Sequence, residues 1–332
     1  MAQMKYFYEL TISSSPHAHS PVTTQTIMRD VLIALVPALL GSIYFFGFRA
    51  LLVTLVSAAA CVFFEWGFCK IRKLHCKTYD LSAVVTGVLL AFVCPVTIPY
   101  WTIILGDFFA IVLVKMLFGG LGKNIVNPAL AGRAFLFSWP VLMSNWVKVG
   151  FSNAAGLLST ADAVTAATPM SAMHQGALPE ESILDMFLGN IGGCIGETSA
   201  LLLIIGFIYL LYRKVITARI PLAYIGTVAI LAFLFPQGND RIAWMAAQVF
   251  GGGLRLGAIF MATDYVTSPL TKLGQIVYGI GCGVITILIR YFGGYSEGVT
   301  YAILCMNACA VLLDKIGRPV KFGAPKKEAA KK

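Results

Sequence analysis

The twenty residues ALLVTLVSAAACVFFEWGFC, residues 50–69, contain a single charged side chain, that of Glu65. A helix needs about 20 mainly apolar residues to cross the hydrocarbon core of a bilayer, so this stretch predicts a transmembrane helix. The whole 332-residue chain has the same character, with 58% hydrophobic and 12% charged residues. A soluble domain of this length covers itself with more polar surface. The sequence therefore predicts an all-α integral membrane protein.

Other apolar stretches on both sides of residues 50–69 raise the prediction to about ten transmembrane helices. They are residues 27–46, 80–96, 100–118, 128–146, 191–212, 219–236, 243–262, 273–292 and 298–313. The stretch 80–96 is short and runs into Pro95, which predicts a broken helix whose loose end is covered by protein. The first apolar run begins only after the polar residues 1–26 and is not followed by a small-residue cleavage pattern, so no removable signal peptide is expected.

Basic residues lie in short clusters between the apolar stretches and not along one face. The net charge of +10 therefore indicates membrane topology signals and no nucleic-acid partner. With ten spans, these clusters fall on one side, which is predicted to be cytoplasmic because cytoplasmic loops are rich in Lys and Arg. The clusters contain Lys70, Arg72, Lys73, Lys77, Lys123, Arg213, Lys214, Lys272, Lys326, Lys327, Lys331 and Lys332.

This topology divides the chain into five segments and places both termini in the cytoplasm. The segments are a cytoplasmic N-terminal segment at 1–26, a first transmembrane half at 27–146, an extracytoplasmic loop at 147–190, a second transmembrane half at 191–318 and a basic cytoplasmic tail at 319–332. Loop 147–190 is longer than an ordinary helix connection, and loops of that length are usually functional or disordered. It carries one lysine against four carboxylates, so nothing in it favours burial in lipid.

Thr168 is the candidate attachment residue within that loop. It ends the run DAVTAAT at residues 162–168, where small side chains would let a bulky group approach the backbone. A cofactor bonded to Thr168 would lie on the extracytoplasmic side of the membrane.

A weak repeat relates the two halves and is interpreted as an inverted repeat. The matching strings are LAFVCP at 90–95 with LAFLFP at 231–236, FGG at 118–120 with FGGG at 250–253, and KNIVNP at 123–128 with DYVTSP at 264–269. Broken helices at matching positions predict a central site at the repeat interface. Close helix packing through glycine explains the Gly runs equally well, but the accompanying Asn, Asp and Thr favour a site.

Charged and amide side chains in or beside the spans supply candidate site residues, since intramembrane charges are expensive unless they are paired or functional. Asp264 and Arg133 are interpreted as cofactor- or ion-handling residues, whereas Glu65, Asp107 and Glu197 stay open. Lys115 is expected to extend its ammonium to the membrane surface. Near span ends, Arg290 and Asp314 are expected to be structural anchors. Asn124 and Asn127, which precede Pro128, either cap a helix or contact a bound cofactor.

The eight cysteines are interpreted as small buried hydrophobes, because the chain has no CxxC pair. The four histidines show no ligand spacing either, so no metal site is predicted.

Four longer strings resemble the RnfD family of Rnf complexes, which is related to NqrB of the sodium-pumping NADH:quinone reductase. They are FGGLGKNIVNPALAGRAF at 118–135, GGCIGETSALLLIIGFIYLL at 192–211, GGGLRLGAIFMATDYVTSPLT at 251–271 and EGVTYAILCMN at 297–307. The likeness extends over about residues 27–319. It implies a subunit of a bacterial cytoplasmic (inner) membrane complex that moves electrons between ferredoxin and NAD and couples this to Na⁺ or H⁺ movement.

The resemblance also implies cofactors and partners. In this family a threonine in a Ser-Gly-Ala-Thr-like motif carries FMN through a phosphodiester bond made by a flavin transferase. Here the motif is Thr-Ala-Ala-Thr at 165–168, in which Thr and Ala replace Ser and Gly, with Asp162 upstream. A second, noncovalent flavin (riboflavin) and the A, B, C, E and G subunits of the Rnf complex as partners are implied as well. The chain itself has no strand followed by GxGxxG for binding NAD.

A passive channel or solute transporter built on the same repeat is the alternative function. The repeat alone is compatible with it, but a channel has no need of a flavinylation motif.

Overall fold

The computed structural model of the protein describes residues 22–73, 78–147, 168–179, 181–238 and 240–317, and its regular elements in these ranges are helices. The predicted all-α membrane fold class is confirmed at this level. Some residues used in the sequence argument lie outside the described ranges. They are Lys77, Lys148, Asp162, Thr165, Glu180, Lys326, Lys327, Lys331 and Lys332.

The first half begins with two long helices and continues with shorter ones. The helices are α1 (Thr24–Phe46), α2 (Phe48–Ile71), α3 (Ser82–Phe92), α4 (Tyr100–Phe108), α5 (Pro128–Leu136) and α6 (Pro140–Met143). Helix α4 continues as a π-helix over Phe109–Met116. Helix α1 begins after Thr23, whose hydroxyl accepts a hydrogen bond from the amide of Thr26 and so satisfies a free donor of the first turn.

Two short helices, α7 (Pro169–His174) and α8 (Ile183–Leu188), belong to the predicted loop 147–190. The second half follows. Its helices are α9 (Ala200–Tyr212), α10 (Arg219–Leu234), α11 (Arg241–Phe250), α12 (Leu254–Leu256), α13 (Lys272–Phe292) and α14 (Val299–Leu313). Helix α12 continues as a π-helix over Gly257–Met261, so each half contains one π-helical segment beside its Gly-rich break. Such π-helical segments are frequent at functional sites.

Several helices have the length and composition of membrane spans. Among the described residues, α1, α2 and α13 each pass as full spans, and α11 with the segment Leu254–Met261 forms a fourth that bends by 59° at its break. Shorter apolar helices α3, α9, α10 and α14 accompany them. Many large apolar side chains, such as Leu40, Tyr44 and Phe63, are exposed on the outer surface, where lipid would cover them. The protein is a multi-pass membrane protein, and the number of ten spans stays a prediction.

Three predicted spans are wrong as continuous helices. In one of them, residues 243–262, the Gly run at 251–253 separates α11 from α12. In residues 128–146, α5 ends at Leu136 and a separate turn starts at Pro140, because proline lacks an N–H and its ring excludes the preceding helical turn. In residues 191–212, only Ala200–Tyr212 is helical. The predicted break in residues 80–96 agrees with the structure, since α3 ends at Phe92.

Helix packing joins the two halves at their inner faces. Helix α10 lies along α13 and α2 along α3, while α1 with α9 and α5 with α14 connect one half to the other. Close packing through glycine does occur at Gly87 of α3, where an added Cβ would lie 2.7 Å from Ala58 Cα of α2. The Gly run of the first half has a different role. Gly119, Gly120 and Gly122 adopt φ values of 109°, 87° and 91°, which glycine tolerates in a tight turn.

Candidate functional site

The predicted site residues fall into two groups at different places in the fold. Asn124, Asn127 and Asp264 line one cavity, hereafter the Asp264 cavity, together with Ser82 and Lys115. Thr168 borders another, much smaller cavity, whose wall includes Glu197 and Glu297, the partners of Arg133. The second group is hereafter the Arg133 cluster, made of Arg133, Glu197 and Glu297.

Asn127 lines the Asp264 cavity and forms hydrogen bonds with both halves of the protein. Its Oδ1 atom accepts hydrogen bonds from the amides of Ala129 at 3.0 Å and Leu130 at 3.4 Å, which caps α5 ahead of Pro128. Its Nδ2 atom donates to the carbonyl oxygen of Met261 at 3.2 Å. Of the two roles left open by the sequence, the contacts of Asn127 favour helix capping.

Asn124 differs from Asn127 because part of its amide is unsatisfied. Its Nδ2 atom donates to the carbonyl oxygen of Val126 at 3.2 Å, but its Oδ1 atom is buried and has no hydrogen-bond partner among the described residues. The residue is 7% exposed. A buried acceptor without a donor is costly, so this oxygen has capacity for a ligand, a water molecule or a cation.

Asp264 lies beyond the π-helix Gly257–Met261 and holds the turn that follows it. Its Oδ2 atom accepts a hydrogen bond from Thr267 Oγ1 at 3.0 Å. The hydroxyl of Thr263 in the same cavity donates to the carbonyl oxygen of Ile259. The cavity has a volume of about 80 Å³. That volume holds several water molecules, and the carboxylate, amide and hydroxyl oxygens in its wall are ligands that a hard cation prefers.

Arg133 lies at the centre of a buried ion network. Its Nη1 atom is 3.2 Å from Glu197 Oε1 and its Nη2 atom is 2.8 Å from Glu297 Oε2. Arg133 and Glu197 are 2% and 3% exposed. Glycine makes room for the carboxylates, because a Cβ on Gly253 would lie 2.2 Å from Glu197 Oε1 and one on Gly252 would lie 2.9 Å from Glu297 Oε1. Gly252 and Gly253 therefore leave the space that the two carboxylates of the cluster occupy.

Cys194 adds a thiol to this cluster and creates an arrangement that a metal ion could use. Its Sγ atom and carboxylate oxygens of Glu197 and Glu297 lie within 4.8 Å of one another. The Arg133 guanidinium contacts all three groups, with its Nη2 atom 3.6 Å from Cys194 Sγ. The geometry therefore favours the guanidinium over a metal ion as the cation of this cluster.

Thr168 is the N-cap of α7. Its Oγ1 atom accepts a hydrogen bond from the amide of Ser171 at 3.3 Å, and the residue is 7% exposed. The adjoining cavity has a volume of about 10 Å³, and its lining includes Gly192, Gly193 and Gly252. It has room for about one water molecule. A phosphoryl substituent on Thr168 Oγ1 is larger than one water molecule, so the group and its attached ring system would need space outside this cavity.

Comparison with known proteins identifies the family. Residues 11–323 match the model of the NQR2, RnfD, RnfE family. The chain belongs to the NQR2, RnfD, RnfE family. The resemblance inferred from the four sequence strings is thereby confirmed.

Relatives in this family cover nearly the whole chain. It is 46% identical over 323 residues to the D subunit of the Na(+)-translocating ferredoxin:NAD(+) oxidoreductase complex of Acetobacterium woodii, with 96% of each chain covered. It is 44% identical over 330 residues to the D subunit of the proton-translocating complex of Clostridium ljungdahlii, covering 94% of this chain and 96% of that one. The D subunit of the ion-translocating oxidoreductase complex of Actinobacillus succinogenes is 34% identical over 341 residues, covering 93% and 96%. Two relatives of similar identity are named for different ions.

The prediction that the ammonium of Lys115 reaches the membrane surface is wrong. Lys115 does not extend to the membrane surface: it is 2% exposed, and its Nζ atom lies 3.0 Å from Glu65 Oε2 and 2.7 Å from Ser82 Oγ. The reason is that α2 and α3 bring a buried acid and a hydroxyl against the π-helix. The sequence could have indicated this ion pair, because two predicted spans carry side chains of opposite charge.

Other intramembrane and span-end groups have structural partners. Asp107 Oδ1 accepts hydrogen bonds from Ser57 at 2.7 Å and Cys61 at 3.2 Å, which ties α4 to α2. The expected anchors fit the structure: Arg290 donates to the carbonyl and side-chain oxygens of Gln248, and Asp314 accepts from the amides of Leu270 and Thr271.

The cysteine prediction is only partly right. Five of the seven described cysteines are buried, but Cys305 and Cys309 are exposed on α14, where they face outward among apolar neighbours.

Proposed function

We propose that this chain is the D subunit of an Rnf-type ion-translocating ferredoxin:NAD⁺ oxidoreductase complex. It acts as one membrane subunit of that complex and is not catalytic alone. Its high identity to proteins named as this subunit, over nearly their full length, supports the assignment. A passive channel or transporter is disfavoured, because the relatives are named as subunits of oxidoreductase complexes.

Thr168 is the proposed attachment residue for covalent FMN. The observation that carries this step is the position of its hydroxyl, at the start of α7 and beside Gly192, Gly193 and Gly252, which have no side chains. Small residues on both sides let a phosphoryl group reach Oγ1. Bound FMN would supply one- and two-electron transfer, and the protein would orient it. The nearby Arg133 cluster would keep this end of the bundle rigid.

The Asp264 cavity is the proposed place where the chain handles the transported ion. Asp264 supplies a carboxylate, and Asn124 supplies the unsatisfied amide oxygen. Hard cations prefer oxygen ligands, and the ends of interrupted helices expose additional carbonyl oxygens. Both interrupted segments reach this cavity.

The topology and partners complete the proposal. The chain lies in the bacterial cytoplasmic membrane with both termini inside and Thr168 outside, as the Lys and Arg distribution predicts. It assembles with the A, B, C, E and G subunits, and a flavin transferase matures it. A second, noncovalent flavin is a further proposed cofactor of this subunit.

Flavin fluorescence that remains with the denatured chain tests whether the flavin is covalently attached to Thr168. The complex would be produced together with a flavin transferase, denatured, and separated on a gel that is viewed under ultraviolet light. The band of this chain should fluoresce, and Thr168→Val should abolish the signal. Ser171→Ala is the matched control, because it removes a neighbouring hydroxyl of the same helix and should keep the signal. A fluorescent Thr168→Val band would refute the assignment.

A further inference from the structure

A second, larger cavity lies next to the Asp264 cavity. It has a volume of about 680 Å³ and is lined by residues from the start of α1, the end of α2, the turn before α3 and the Gly run after the π-helix. Glu65 and Asp80 are its carboxylates. It is hereafter the Glu65 cavity. Its lining includes Cys69, Gly119 and Gly120, which lie beside the basic clusters that predict the cytoplasmic side.

Two polar contacts cross the wall between these cavities. Lys115 lines the Asp264 cavity and Glu65 lines the Glu65 cavity, yet their charged atoms are 3.0 Å apart. Ser82 also lines the Asp264 cavity and donates a hydrogen bond of 2.6 Å to Asp80 on the other side. Leu121 borders both cavities. Side chains of these five residues therefore form part of the wall between the cavities.

We infer that the Lys115–Glu65 ion pair is the gate through which a monovalent cation passes between the Glu65 cavity and the Asp264 cavity. This inference rests on the proposed ion-handling role of the Asp264 cavity. While the pair is closed, the ammonium of Lys115 occupies the position that a passing cation would need. When the ammonium turns into the Asp264 cavity, the incoming cation replaces it as the counterion of Glu65.

The energetics of buried charges make this a tight gate. An ion pair that is 2% and 6% exposed cannot open freely, because each charge would be left without a partner in a poorly hydrated place. Opening is favourable only when another cation reaches Glu65 and when acceptors receive the ammonium. The Asp264 cavity supplies such acceptors in the Asp264 carboxylate and the unsatisfied Asn124 Oδ1. Exchange of one cation for another then proceeds without a free leak.

The backbone around Lys115 is suited to such a movement. Lys115 lies in the π-helix Phe109–Met116, whose hydrogen-bond pattern differs from that of the flanking α-helix. Segments of this kind occur often at functional sites. The Gly-rich turn that begins at Gly119 follows directly.

Passive ion flux through the complex tests this inference. Purified complex would be reconstituted into lipid vesicles that contain a Na⁺ indicator and, in a parallel set, a pH indicator. No electron donor would be added. Lys115→Met keeps the length of the side chain but removes its charge. Passive uptake of Na⁺ or H⁺ should rise by about tenfold or more, since a small reduction of a barrier multiplies a rate by that factor. The indicator that responds identifies the ion.

A second ion pair provides the matched control. Arg213 Nε lies 3.1 Å from Asp30 Oδ2, and neither residue lines the Asp264 cavity or the Glu65 cavity. Arg213→Met removes a cation from that pair and should leave passive flux at the wild-type value. Wild-type passive flux in assembled Lys115→Met complex would overturn the gate.

The double variant Lys115→Met with Glu65→Gln keeps the test decisive if the single variant fails to assemble. It removes both buried charges, so no carboxylate is left unpaired at the gate. Electron transfer should continue, whereas the number of ions moved per electron should fall to near zero. Normal ion movement per electron would overturn the inference. The flavin fluorescence of the denatured chain and the rate of electron transfer are measured on the same samples. A failure of the proposed function is thereby distinguished from a failure of the gate.

Discussion

The side-chain amide of Asn127 donates a hydrogen bond of 3.2 Å to the carbonyl oxygen of Met261. Asn127 begins the interrupted helix of the first half, and Met261 ends the π-helix of the second. The same asparagine caps α5. One residue thus joins the two polar breaks that the sequence repeat pairs, and the Asp264 cavity forms at their junction.

Replacement of Asn127 should destabilise the bundle. Asn127→Ala removes a helix cap, worth about 1 kcal/mol, and a buried hydrogen bond between the halves, worth about 1 kcal/mol. The midpoint of thermal unfolding in detergent should fall. Thr271→Ala is the control, because Thr271 caps α13 through the amide of Gly274 without joining the halves. An equal or larger loss in Thr271→Ala would contradict the importance of the Asn127–Met261 contact.

Even a conservative substitution of Arg133 should destabilise the protein. The two Nη atoms of Arg133 bind two different carboxylates, and a lysine ammonium is a single compact charge that cannot reproduce this fork. Arg133→Lys should lower the yield of folded protein, and Arg133→Met, which leaves both acids unpaired, should cost about 3–5 kcal/mol. Size-exclusion chromatography with thermal unfolding measures both variants. Arg133→Met with wild-type stability would mean that the cluster is not a structural centre.

Asp264→Asn tests the ion-handling role without removing the side chain. The amide retains an acceptor for Thr267, so covalent flavin content should be unchanged, while ion uptake into vesicles per electron transferred should fall. Thr267→Val is the control for the turn itself, since it removes the hydroxyl that donates to Asp264. If Asp264 only caps the turn, asparagine will substitute well, and ion movement per electron will stay normal.

The predicted topology can be tested with single cysteines in a cysteine-free variant. Gln175 and Lys123 are both exposed and lie on opposite predicted sides. A membrane-impermeant thiol reagent added outside intact cells should label Gln175→Cys and should label Lys123→Cys only after the cells are opened. The reverse pattern would place the proposed flavin on the cytoplasmic side.

The sequence predicted the elements that depend on local composition. The apolar runs at 27–46 and 273–292 correspond to helices Thr24–Phe46 and Lys272–Phe292. Length and hydropathy decide such helices. Prediction was wrong at residues 128–146 and 191–212, where an apolar average concealed a proline break and a turn-rich stretch around Glu197.

The pairing of charges was harder to predict, since it depends on contacts that are distant in the sequence. Lys115 and Glu65 are separated by 50 residues, and Arg133 and Glu297 by 164. A lysine near a span end has the same local pattern whether its ammonium reaches water or a buried acid. Glu297 reaches Arg133 only because α5 packs against α14, and the sequence alone does not indicate that contact.

The mass of the peptide that contains Thr168 is the most direct test of the central claim. The chain, isolated from a complex matured with a flavin transferase, would be digested and analysed by fragmentation mass spectrometry. We expect the mass of FMN less one water on this peptide, with the fragment series assigning it to Thr168. An unmodified peptide, or the same mass on Thr165, would contradict the claim that Thr168 carries the flavin.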